Sequence, residues 1–267
     1  MMSLFSRLHA WWSALTAGTS PWPAIDITLP GNRHLHLVGS IHMGTRDMAP
    51  LPAKLVAKIA AADALFVEAD ISGGNAPFHT PDYDLPLRER IPSTLWNQLE
   101  QRAAELGLDI ATFEQQPPWQ VALVMQAHQA QRLGLRPDFG IDYQMINAAN
   151  AAAVPIQELE GTQSQMTLLE TLPDEGLGLL EDTLTHWHTN ARLLQLMVSW
   201  WLDAPPRQKV VELPATFGHE LYDVLMHQRN RRWRELLLAL PPGRYVVAVG
   251  ALHLYGEGNL PALLRAG

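Results

Sequence analysis

The chain has 267 residues, nearly half of them apolar, which suits one large domain or one α/β domain carrying a helical insertion. Its formal charge is −8, from 19 basic and 27 acidic residues, and no basic stripe is visible, so nucleic acid gripped through its phosphates is excluded as a partner. There is no cysteine, which excludes disulfides and thiolate metal sites; any metal must be held by nitrogen and oxygen.

Residues 1–20 read as a separate amphipathic helix. Leu4, Phe5, Leu8, Trp11, Trp12 and Leu15 follow helical spacing, with Ser6 and Arg7 interleaved. The stretch lacks the unbroken apolar run of a signal peptide and is too short to span a bilayer. It is expected to pack on the domain; docking on a membrane surface is the lesser alternative. The expected location is cytoplasmic. Residues 21–267 read as a single α/β domain with a largely helical insertion at about 93–240.

In chain order, 24–29 alternates apolar and polar, and Pro30-Gly31-Asn32 is a turn signal, so a hairpin into the apolar run 34–39 is expected. Residues 53–62 carry helical periodicity, and Ala64-Leu65-Phe66-Val67 is a short buried strand ending at Glu68. If 64–67 pairs in parallel with 34–39, Glu68 comes to lie beside His42. A Gly-, Pro- and Asp-rich connection follows at 72–92. From Ser93 the pattern is helical. Pro117-Pro118 marks a helix start, Gly140-Ile141-Asp142 precedes another, and Val154-Pro155-Ile156 is a short strand before Glu158-Leu159-Glu160. Helices are expected over 163–202, with a break at Pro173-Asp174, and over 216–240. The last strand is 245–249, followed by a terminal helix opened by Pro261. The expected architecture is a central sheet formed from the N- and C-terminal strands, with the helical middle inserted between them.

Two stretches near opposite ends share one design: an apolar run, then Gly-x-x-His. They are Gly39 to His42 and Gly250 to His253. Each delivers a histidine just past the carboxyl end of a strand, where open α/β sheets bind ligands. If the two strands are neighbours, the imidazoles meet at one site. Imidazole is a common metal ligand and general base.

These motifs, with Val67-Glu68, Gly140-Ile141-Asp142, Leu159-Glu160, Arg229-Asn230 and the ending Val-Gly-Ala-Leu-His-Leu-x-Gly, resemble the TraB/GumN family, which includes the Tiki proteases and the plasmid pheromone-shutdown proteins. The resemblance runs from about residue 24 to the C-terminus and is strongest to small enterobacterial members. It implies an α/β fold related to ChaN and erythromycin esterase. It also implies a metal-dependent hydrolase, peptidase-like, with manganese or cobalt favoured and zinc permitted.

On that reading His42 and His253 are metal ligands, unless one of them serves as a base; the bland alternative is a histidine bonded to a strand-end carbonyl. Glu68 is a ligand or the general base. Glu160 ligates a metal or orients a histidine. Arg229 and Asn230 stabilise an oxyanion or grip a substrate carboxylate, or else pair with acidic neighbours on a helix face. Asp70 is a weaker candidate, and Asp142 is either a helix cap or a site residue. His186 and His188, two apart on a helix, face different ways and are set aside as ligands. His34 and His36 are expected at an edge or surface. The partner is a peptide or small-molecule substrate. The rival reading is a protein that binds a metal, haem or small ligand in the same cleft without turnover; an esterase would share the site.

Overall fold

In a computed structural model the described residues are 20–70, 82–206 and 218–266. The amphipathic segment read in 1–20 therefore lies almost wholly outside them, as do residues 72–81 of the Gly- and Pro-rich connection. Among the described residues no helix is long and apolar enough to cross a membrane.

A mixed five-stranded sheet forms the centre. Its strands are β1 (Ala24–Leu29), β2 (Arg33–Ser40), β3 (Ala64–Val67), β4 (Ile156–Glu158) and β5 (Gly243–Gly250), in the order β1-β2-β5-β3-β4. The β1–β2 hairpin turns through Gly31 and Asn32, both at positive φ (80° and 58°), as the turn signal predicts. The remaining pairings are parallel, with Ser40 opposite Gly250 and Val67 opposite Ala248. The two Gly-x-x-His strands are thus neighbours. They are out of step by one residue, because Gly39 lies opposite Val249. β3 does not pair with β2; β5 lies between them and is the central strand. A strand flanked on both sides and both faces must be apolar throughout, and Tyr245 to Val249 is buried without a break. The sheet is not built from the chain ends alone, since β4, an edge strand, comes from the middle.

Helix α1 (Ala53–Ala60) crosses from β2 to β3 and buries Leu55 and Ile59. Proline opens α3 (Pro118–Arg132), as read from Pro117-Pro118, and it follows α2 (Ser93–Leu106), which closes at Gly107 in the left-handed conformation. α4 (Ile141–Ala151) packs on α1 and the sheet through Met145, Ile146 and Ala149. The segment expected as two helices broken at Pro173-Asp174 is three, the break standing where expected: α5 (Thr162–Glu170), α6 (Leu177–Thr185) and α7 (Trp187–Leu202), with His186 at the further junction between the last two. After His219–Tyr222 and a π-helical turn, Asp223–His227, comes α8 (Gln228–Leu238). The chain closes with α9 (Ala251–Tyr255) and α10 (Leu260–Arg265), the latter capped by Asn259.

Two apolar cores result. One joins the sheet to α1, α4, α7, α8 and α10; the other holds α2, α3 and α6 around Leu99, Phe113, Met125 and Leu180. The carboxyl ends of β2, β3 and β5 open between them.

Candidate functional site

His42 reaches the cleft from an extended stretch that two glycines allow. Gly44 exchanges backbone hydrogen bonds with Arg136 (3.0 and 2.8 Å), and the Ile141 N–H donates to the Ile41 carbonyl (2.9 Å). A Cβ at Gly44 would collide with the Phe139 carbonyl, and one at Gly140 with the His42 carbonyl. This close approach carries Asp142, in the first turn of α4, to His42. The His42 Nδ1–H donates to Asp142 Oδ2 at 2.5 Å. Asp142 is therefore not a helix cap; Gly140 stands at the cap position. The His42 ring is otherwise open to the cleft, its side chain 67% exposed. The Asp142 carboxylate holds the imidazolium and raises its pKa to about 9.

His253 is placed differently. It sits inside α9, buried, and its Nδ1–H donates to Asn230 Oδ1 (2.7 Å), whose own amide donates to the Gly258 carbonyl (3.1 Å). Trp233 packs on the ring at 4.4 Å between centroids. Burial lowers its pKa to about 3, so the ring is neutral. With Nδ1 carrying the proton, Nε2 bears a lone pair, and Arg229 Nη1 donates to it (3.3 Å).

Glu68 leaves the end of β3 into the same space. Its Oε1 accepts the Gly250 N–H (2.6 Å), and its Oε2 accepts Arg229 Nη2 (2.5 Å) and Gln165 Nε2 (3.4 Å). Burial opposes its charge, but Arg229, His253 and His42 outweigh that and lower its pKa to about 2. Glu160 does not reach either histidine. Both its oxygens accept Arg229 Nε (3.0 and 3.1 Å), and Arg232 approaches at 3.4 Å. Arg229 thus spans two buried carboxylates and lies over the Trp233 ring at 4.7 Å. Neither of the roles expected for Glu160, ligand or histidine orienter, matches this contact set; it holds the arginine.

Asp70 stays out of the cleft lining, and its backbone N–H donates to Glu158 Oε1 (2.6 Å). His36 is not at the surface. It is buried, donates to Asp26 (2.7 Å) and accepts from the Trp22 indole (3.1 Å), a satisfied core histidine. Gln165 and the part played by Gly44 were missed in the sequence, and Gly140 was read only as part of the Gly-Ile-Asp motif before a helix; glycines flanking His42 and Asp142 were the available signal, while Gln165 had none.

The cleft is a cavity of about 420 Å³ lined on one side by His42, Glu68, Arg229 and His253, and on the other by α3 and α7. A divalent ion, as the resemblance implies, meets a suitable donor chemistry here: two imidazole Nε2 atoms, each ring fixed through Nδ1 by an acceptor, and one carboxylate. Among the described residues, however, no three His, Asp or Glu side chains are gathered at ligand spacing. Arg229 stands against two of the three donors.

The model of the TraB/PrgY/gumN family matches residues 25–267. The chain is 58% identical over 264 residues, 99% of its own length and 100% of theirs, to two proteins each called uncharacterized protein YbaP, from Escherichia coli (strain K12) and Shigella flexneri. No solved structure matches it. The extent of the family match and the near-complete alignment with these relatives make the chain a member of the TraB/PrgY/gumN family.

Proposed function

We propose that the cleft is the centre of a metal-dependent hydrolase acting on a peptide or amide bond. One observation carries the reading: the two Gly-x-x-His strands are parallel neighbours, and both rings are fixed through Nδ1 beside Glu68, so that an ion would take each Nε2 in place of the proton on His42 and the Arg229 contact on His253. His42, His253 and Glu68 would hold the ion, which when bound supplies a Lewis acid and an acidified water. Asp142 and Asn230 orient the two rings. Glu68, kept ionised by Arg229, is better suited to ligation than to proton abstraction, since a base works best with a pKa near the working pH. Arg229 keeps a fixed positive charge at the cleft through Glu160 and would stabilise an oxyanion developing on the substrate. The ChaN- and esterase-like kinship of the fold belongs to the same proposal, supported by a parallel core with the candidate residues at its carboxyl ends.

A second reading rests on Arg229 itself. It already neutralises Glu68 and occupies His253 Nε2, as suits a cleft that binds a small ligand without turnover.

The test joins metal content to activity. The full chain, purified without a metal-chelating tag, is assayed by elemental mass spectrometry and against a pooled peptide library with manganese, cobalt or zinc. His42→Ala and His253→Ala are run beside it. Metal-dependent cleavage lost in both variants is expected. A wild type that takes up no metal under any of these conditions refutes the proposal, and metal uptake without cleavage of any pool favours the second reading.

A further inference from the structure

The two walls of the cleft differ in chemistry. Among the described residues, every titratable side chain lining it lies just past the strand ends or on α8 and α9: His42, Glu68, Arg229 and His253. The facing wall, from α3, α7 and the π-helical turn, is apolar through Leu123, Leu193, Leu194, Met197 and Met226. Among the described residues, none of the side chains it presents to the cavity is Asp, Glu, Lys or Arg. Its polar groups are three carboxamides, Gln126, Gln129 and Asn190.

Two of those amides are fixed in place. Gln126 Nε2 donates to Thr183 Oγ1 and Gln129 Nε2 to the Trp187 carbonyl, each at 2.8 Å. Among the described residues neither Oε1 accepts a hydrogen bond. Both residues line the cavity and neither oxygen is among the buried unpaired atoms, so each has an acceptor to offer. A wall of this kind penalises a charged side chain, which it leaves without a counter-ion, and receives an apolar one. Fixed amide oxygens match the N–H groups of an extended peptide backbone. A cavity of about 420 Å³ falls within the roughly 300–1,000 Å³ of ordinary ligand sites.

We infer that the occupant of this cleft is a peptide segment that lays an uncharged, branched apolar side chain against the α3–α7 wall, its backbone N–H groups donating to Gln126 and Gln129. That the bound segment is then cleaved rests on the function proposed above; the binding preference does not.

The experiment separates the two. The full-length protein is titrated with the neutral apolar dye N-phenyl-1-naphthylamine, and the dye is displaced by blocked tripeptides that differ only at the central residue: Leu, Ala, Lys or Glu. The Leu peptide is expected to compete at least about 10-fold better than the Ala peptide, the size of effect an apolar pocket gives for missing methylenes, and better still than Lys or Glu. Leu194→Asp, at a half-buried wall position, should cut the Leu preference at least about tenfold while a cooperative thermal transition shows that the variant is still folded. Should it fail to fold, Leu123→Asp, also half-buried, replaces it. Equal competition by all four peptides, no binding of dye or peptide, or a folded wall variant with unchanged preference overturns the inference. Library cleavage indifferent to apolar residues overturns it while sparing the hydrolase. Apolar-selective binding with no turnover does the reverse.

Discussion

Replacing Arg229 with methionine keeps the aliphatic stem on Trp233 and removes the one cation shared by Glu68 and Glu160. Their side chains are 8% and 5% exposed. Removing one partner of a buried ion pair costs about 3–5 kcal/mol, because a charge is stranded out of water. Two partial compensations remain, the Gly250 N–H on Glu68 and the exposed Arg232 near Glu160, so the expected loss at pH 7 is at the lower end, about 3 kcal/mol. The loss must depend on pH with a definite sign. In the wild type the Glu68 pKa is lowered, so its contribution is present above about 4.5 and lost as pH falls toward about 2. In the variant the ionised carboxylates are penalised and their neutral forms are not. The gap between wild type and variant should therefore be widest near pH 7 and shrink as pH falls toward about 2, because the variant's Glu68 protonates before that of the wild type. Urea unfolding of both proteins at about pH 3 and pH 7 measures it. A gap under about 1 kcal/mol at pH 7, or the same gap at both pH values, would show that Arg229 does not neutralise these glutamates.

Asp142→Asn keeps the shape but removes the charge holding His42, so the His42 pKa should fall from about 9 toward the unperturbed 6.5, read by the NMR titration of its ring protons. Because the wild-type value is raised, the stabilisation lost in this variant is fully present below pH 6.5 and vanishes above about 9. Gly140→Ala drives a methyl into the His42 carbonyl and should cost about 1–3 kcal/mol in denaturant unfolding, as overpacking does; an unperturbed midpoint would mean that the 136–141 segment yields freely. Asn230→Ala removes the acceptor of His253 Nδ1–H, and any bound metal should weaken roughly 10–100-fold by calorimetry, the usual effect of losing such an orienting contact; unchanged affinity would separate His253 from the ion.

Much of the frame was legible because its signals are local. Pro30-Gly31-Asn32 turns the hairpin, Pro117-Pro118 opens a helix, and both Gly-x-x-His runs end strands at the expected places. The strand order was not legible. An apolar run announces a buried strand without naming its neighbours, and 64–67 reads the same whether it pairs with β2 or β5. Within the site, His42, His253 and Glu68 stood out as residues following strands, and the structure brings all three to one cavity. Their attachments did not stand out: Glu160 and Arg229 are 69 residues apart and meet only through the tertiary fold. The burial of His36 was hidden for a related reason, since its partners Trp22 and Asp26 are supplied by the hairpin and its lead-in and not by its own strand.

The central position of β5 has a consequence for synthesis on the ribosome. The β1–β2 hairpin leaves the tunnel early, yet the strand that pairs with β2 arrives some two hundred residues later. At about 5–20 residues per second the hairpin's inner edge waits roughly 10–40 s, and the edge of β3 opposite β4 waits for the same strand. An open apolar edge is a template for wrong pairing, so this interval is when the nascent chain most needs a chaperone. The second core, around Leu99 and Met125, is complete well before β5 emerges and can form while the sheet waits. Chains stalled at residue 242 should accordingly protect amides in α3 and leave the β5-facing amides of β2 open to exchange; early protection of those amides would show that another strand stands in for β5.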